Sequence, residues 1–139
     1  MKRIIHVLAL FILTSSLSCK KLIEDKKRDA VLDAMTNGVW IVEQYFENID
    51  NITGEFLNYE FRFFRDGTVK SDTLGTNVAS GTWEANVDDY TITSAFPAAT
   101  NPVARLNFTW LIKDTEWDYV LAETTTPDGK NVLHLRKKS

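Results

Sequence analysis

Cysteine, histidine and proline are scarce in these 139 residues: one, two and three copies respectively. With Cys19 alone there is no intramolecular disulfide, so the fold must be held by an apolar core. Beyond the first eighteen residues the only histidine is His134. A zinc site needs three or four nitrogen or sulfur ligands, which this inventory does not supply. The six glycines are dispersed, and no glycine-rich phosphate loop can be written from them. Nor is there a long apolar run. Ile4 to Leu13, interrupted only by His6, falls well short of the ~20 residues that span a bilayer.

What is present is ordinary globular material, 44% apolar and 25% charged, consistent with one domain. Lysine and arginine total 16 against 19 aspartate and glutamate, a net charge of −3. Loss of residues 1–18 would remove Lys2 and Arg3 but no acid. An acidic domain repels phosphate backbones, and Arg136-Lys137-Lys138 reads as a solvated end, so no nucleic-acid partner is expected.

Lys2-Arg3, the apolar stretch and the small polar segment Thr14 to Ser18 follow the order of an export signal. Ser16-Leu17-Ser18-Cys19 resembles the bacterial lipobox, in which the cysteine thiol receives diacylglycerol and becomes the new N-terminus. The resemblance implies a signal peptide over 1–18, a lipidated Cys19 bearing acyl chains such as palmitate, and attachment to the outer membrane. Lys20 follows in place of the aspartate of inner-membrane retention. Signal peptidase cleavage at the same bond, leaving a free thiol, is the alternative.

Residues 19–37 read as a charged tether that becomes helical. Glu24 to Asp29 lacks hydrophobic spacing, whereas Ala30, Val31, Ala34 and Met35 form a narrow helical stripe ended by Gly38. From there the period changes to two, over residues 38–139. Strands are predicted at Trp40 to Phe46, Leu57 to Arg65, Thr68 to Thr73, Ser80 to Val87, Tyr90 to Phe96, Ala104 to Ile112, Trp117 to Glu123 and Asn131 to Arg136. Asp66-Gly67, Asp88-Asp89 and Pro127-Asp128-Gly129 supply the turns. A flat meander of eight strands would leave two open edges, and closure removes them. The expected fold is therefore all-β, an eight-stranded up-and-down antiparallel barrel with a short N-terminal helix; a two-sheet sandwich is the alternative.

Gly38-Val39-Trp40 opening the first strand, the strand count and Arg136 on the last strand together resemble a lipocalin. Tyr59-x-Phe61-x-Phe63, Asp66-Gly67-Thr68 and Gly81-Thr82-Trp83 are similar to small lipocalin-like lipoproteins of Gram-negative bacteria, over roughly Gly38 to Lys137. The resemblance implies structural roles for Gly38, Trp40 and Arg136, with the guanidinium across the indole face contributing about 0.5–2 kcal/mol.

No catalytic residue is assigned. His134 sits between Leu133 and Leu135, and no nucleophile elbow accompanies it. Asp66, Asp88, Asp89, Asp114 and Asp128 fall in turns, where carboxylates bond local backbone. A calcium site from Asp50, Asn51 and Asp88 is a weaker idea. The expectation is a monomeric, non-enzymatic protein without cofactor or metal. Tyr59, Phe61, Phe63, Trp83, Tyr90, Phe108 and Trp110 are expected to point inward. There they either line a pocket for a small apolar ligand or fill the barrel, since eight strands enclose little more than side chains. A pocket implies an interior cavity of about 300 Å³ or more. A solid barrel acting on partners through Glu47 to Phe56 and Phe96 to Val103 implies Phe56 and Phe96 turned outward. Tyr119 and His134 are candidate polar fixtures of the pocket.

Overall fold

Alternation of large apolar and polar side chains makes one face of each strand adhesive, and the sheet closes to bury that face. The computed structural model describes the backbone from Lys2 to Ser139 and the side chains from Cys19 onward. The expectations for residues 1–18 fall outside the residues whose side chains are described. Helix α1 (Lys2–Thr36) is followed by β1 (Trp40–Glu47), β2 (Asp50–Asn51), β3 (Tyr59–Phe63), β4 (Thr68–Thr73) and β5 (Thr76–Asn86). Then come β6 (Thr91–Ala95), β7 (Thr109–Thr115), β8 (Tyr119–Thr126) and β9 (Gly129–Lys137).

Each strand from β3 onward pairs antiparallel with the next, and β1 pairs with β9 from Trp40↔Lys137 to Glu47↔Asn131. This is a closed, eight-stranded up-and-down barrel, with the two-residue β2 folded back on β1. β1 meets β3 only at Trp40↔Phe61.

Parity sets the interior. Trp40, Val42 and Tyr45 of β1, Phe61 and Phe63 of β3, Val69 of β4, Trp83 of β5, Trp110 of β7, Val120 and Ala122 of β8, and Leu133 and Leu135 of β9 are all buried. The odd–even pattern of β1 breaks at a bulge between Val42 and Gln44, which pushes Glu43 outward and still returns Tyr45 to the core.

Most predicted strand boundaries move by a few residues. Leu57 precedes β3 and is 73% exposed, because Asn58 reverses the chain at φ 68°. Ala104 to Leu106 is a 3₁₀ turn, Val103–Leu106, following a proline that has no N–H to give a ladder. β5 begins at Thr76, earlier than Ser80.

Both ends of the barrel are covered. At one end lie the N-terminus of β1, the C-terminus of β9 and the β3–β4, β5–β6 and β7–β8 turns, with the last turns of α1 across them. Met35 of α1 is buried in the core. At the opposite end two 3₁₀ turns, Thr53–Phe56 and Val103–Leu106, insert Phe56, Val103 and Leu106. The Tyr45 ring stacks on Phe56 at 5.4 Å, and its hydroxyl donates to the Arg105 carbonyl at 2.7 Å. Arg105 in turn pairs with Glu55 and Glu47.

At Gly81 the backbone of the neighbouring strand comes close. A Cβ there would stand 2.1 Å from the Ala95 carbonyl oxygen, which is backbone and cannot rotate away. Gly81→Ala is therefore expected to lower stability by about 1–3 kcal/mol, the usual cost of overpacking. Urea unfolding followed by tryptophan fluorescence measures it.

Candidate functional site

The barrel interior is solid. A void of about 40 Å³ within it, bounded by residues that include Phe63, Phe96, Trp110 and Leu133, is too small for an organic ligand. Of the residues expected to line a pocket, Phe61, Phe63, Trp83 and Trp110 are buried core, with Tyr59 and Phe108 packed against it. Edge-to-face contacts join Phe63 to Trp83 at 5.4 Å and Phe108 to Trp110 at 5.7 Å. These rings fill the space they were expected to line. Tyr90 is a correction: it lies in the β5–β6 turn at φ 55° and is 65% exposed.

A larger space lies at the helix-covered mouth of the barrel, between α1 and the rim, and shares Met35, Ile92, Ile112 and Val120 with that void. This cleft of about 450 Å³ is bounded by Lys27, Ala30, Val31, Ala34 and Met35 of the helix. Across from them are Ala85, Val87, Tyr90 and Ile92 around the β5–β6 turn, and Ile112, Glu116, Trp117 and Val120 around the β7–β8 turn. Its floor includes the ring of Trp40.

The cleft exists because the helix is propped on one side. Asp29 and Asp33, one turn apart, reach Arg65 in the β3–β4 turn, Asp29 at 3.5 Å. Trp40 Nε1 donates to the Met35 carbonyl at 2.9 Å. On the other flank the helix presents alanines at 30 and 34, spaced to share a face, and these are too short to reach the barrel rim. The charged stretch Glu24 to Asp29, which shows no hydrophobic spacing, is helical throughout.

Gly38 ends the helix with φ 93°, a backbone conformation that glycine adopts without strain. Trp40 is fully buried. The expected partner of its ring is corrected: Arg136 points outward, where it pairs with Glu43 at 2.7 Å and lies over Tyr119 at 5.6 Å. Lys137, one position on, takes the inward place, with Nζ 5.3 Å from the Trp40 ring centre and 3.8 Å from that of Trp117.

Tyr119 and His134 are likewise on the outer wall, edge to face at 5.7 Å. The Tyr119 hydroxyl donates to Asp114 at 2.7 Å, and His134 Nε2 lies 3.6 Å from Glu43. Neither reaches the cleft or the interior void. Asp50 and Asn51 stand at one end of the barrel and Asp88 at the other, so these three do not make a cation site. Among the described residues no three His, Cys, Asp or Glu side chains converge on one point. Phe56 and Phe96 are buried, at 3% and 1% exposure, so the outward rings expected of a loop-based interaction surface are not seen.

The Lys137 ammonium is enclosed and has no hydrogen-bond partner. Loss of hydration pulls its pKa below the usual lysine value of 10.5, and the two indole faces offset part of that cost. The unfolded chain therefore holds this proton to higher pH than the folded one, so Lys137 makes stability rise as pH climbs from its lowered pKa towards 10.5. Lys137→Met is expected to flatten that rise. The difference between wild-type and variant urea midpoints at pH 7 and pH 10 isolates it from the tyrosines.

No protein-family model matches the chain, and no curated protein matches it. Among solved structures it is similar to a DUF4847 family protein from Bacteroides vulgatus ATCC 8482, with a TM-score of 0.54 and 14% sequence identity. The match covers 78% of this chain and 99% of the other. At that identity the likeness shows the fold: this chain is a small barrel protein of the same architecture.

Proposed function

We propose that the protein is a lipocalin-like lipoprotein of the cell envelope that holds a small hydrophobic molecule without transforming it. Binding takes place in the cleft between α1 and the barrel rim, in place of the barrel interior. The cleft itself carries this reading. Its volume of about 450 Å³ falls within the range of small-molecule sites, about 300–1,000 Å³, and such sites are concave and mostly apolar with few polar groups. Ala30, Ala34 and Ala85 leave the space open, while Tyr90 and Trp117, both exposed, stand at its entrance.

Membrane attachment belongs to the same proposal and rests on the sequence: residues 1–18 as export signal and Cys19 as acylated terminus, anchored in the outer membrane. Cys19 is exposed. Among the described residues no helix is long and apolar enough to cross a membrane.

A second reading draws on the opposite end of the barrel. Ile49, Leu57 and Leu74 are 92%, 73% and 82% exposed, and Leu74 occupies a hairpin tip at φ 50°, a strained place for leucine. Here the solid barrel acts as an interaction module through its turns. Photocrosslinking from position 74 in intact cells, with no protein adduct formed, removes this reading.

A soluble form beginning at Lys20 is expected to enhance the fluorescence of the neutral probe N-phenylnaphthylamine. Filling the cleft by Ala30→Leu with Ala34→Leu is expected to abolish that signal. Enhancement unchanged in the double variant sinks the cleft reading. For the anchor, Cys19→Ser is expected to move the protein from the membrane fraction to the soluble fraction; continued membrane association of that variant overturns lipid attachment.

A further inference from the structure

We propose that the occupant of the cleft is a single-chain carboxylic acid, a fatty acid whose tail lies along α1 and whose carboxylate meets Lys27. This rests on the cleft reading above and deepens it. Lys27 and Glu116 are the two charged residues among those that bound the cleft. Neither takes part in the ion pairs of the described residues, which engage Arg65, Arg105, Arg136, His134, Lys113, Lys130 and Lys138. Lys27 is thus an ammonium at the edge of an apolar space with no protein carboxylate to satisfy it.

The shape favours a chain. From Lys27 to Met35 the helix rises about 12 Å, at 1.5 Å per residue. The helix side of the cleft thus runs from an exposed cation at Lys27 to the buried apolar Met35. A linear amphiphile matches these two ends: its head stays at Lys27, close to solvent, and its tail passes Ala30 and Ala34 towards Trp40. One lysine, without arginine, suits a monoanion. A phosphate dianion calls for more donors in a fixed fork, and Glu116 opposes a second negative charge.

The chain's own acyl group on Cys19 is the competing occupant, since residues 19, 23, 27, 30 and 34 follow one helical face. Photocrosslinking separates the two. Membranes carrying the full-length protein are incubated with a diazirine-bearing long-chain fatty acid or with the matching fatty alcohol, irradiated, and the adducts mapped by peptide mass spectrometry.

The expected result is acid adducts on α1 near Ala30 to Met35 and on the peptide holding Trp117, with much weaker labelling by the alcohol. Lys27→Glu is expected to reduce acid labelling about tenfold, the loss of one charge-assisted hydrogen bond, and to leave alcohol labelling unchanged. Lys27 is exposed, so this variant keeps the fold. Equal labelling by acid and alcohol, indifferent to Lys27→Glu, overturns the carboxylate assignment while the cleft reading survives. Labelling by both that persists in Ala30→Leu with Ala34→Leu places the adducts elsewhere and overturns both. Acid labelling that emerges only in Cys19→Ser, irradiated as the released soluble protein, assigns the cleft to the protein's own acyl chain and overturns a free acid as occupant.

Discussion

The indole of Trp40 is the point on which the architecture turns. It is wholly buried at the first position of β1, facing Phe61 on one side in register and Lys137 on the other. Its N–H holds the last turn of α1 through the Met35 carbonyl. One side chain therefore joins three things: closure of the sheet, seating of the helix and the floor of the cleft. A buried ring of this size contributes several kcal/mol through burial alone, and its lone polar atom is satisfied. Gly38 next to the helix terminus allows the sharp reversal that brings the ring inward.

Much of the barrel could be read from the chain because its strands alternate cleanly. Tyr59, Phe61 and Phe63 on one parity, and Leu133 and Leu135 on another, identify the inner face without coordinates. The same parity holds a signal that the family comparison obscured. If Leu133 and Leu135 face inward, Lys137 must follow them and Arg136 must face out. The arginine expected over Trp40 was one residue off, and a slip of one residue exchanges faces.

What could not be read was depth. Whether seven large rings line a void or fill it depends on how their volumes interlock, which periodicity does not encode. The same holds for Tyr90, whose parity suggested the core until a left-handed turn carried it outside. The cleft was hidden for another reason. Its determinants are small residues, Ala30 and Ala34, on a segment whose apolar stripe looked too narrow to matter. Narrowness was the feature that left room, once Arg65 fixed the helix from its other flank.

β1 touches β3 through one residue pair but follows β9 along nearly its whole length. The strand made first is thus held by the strand made last. As the chain emerges from a ribosome or an export channel, β3 to β8 can pair successively with their sequence neighbours, while β1 waits for residues close to the C-terminus. Such distant closure raises contact order and slows folding. The apolar face of β1, with Trp40 and Tyr45 on it, stays without its main partner until β9 has emerged, a period in which a chaperone has a defined segment to cover.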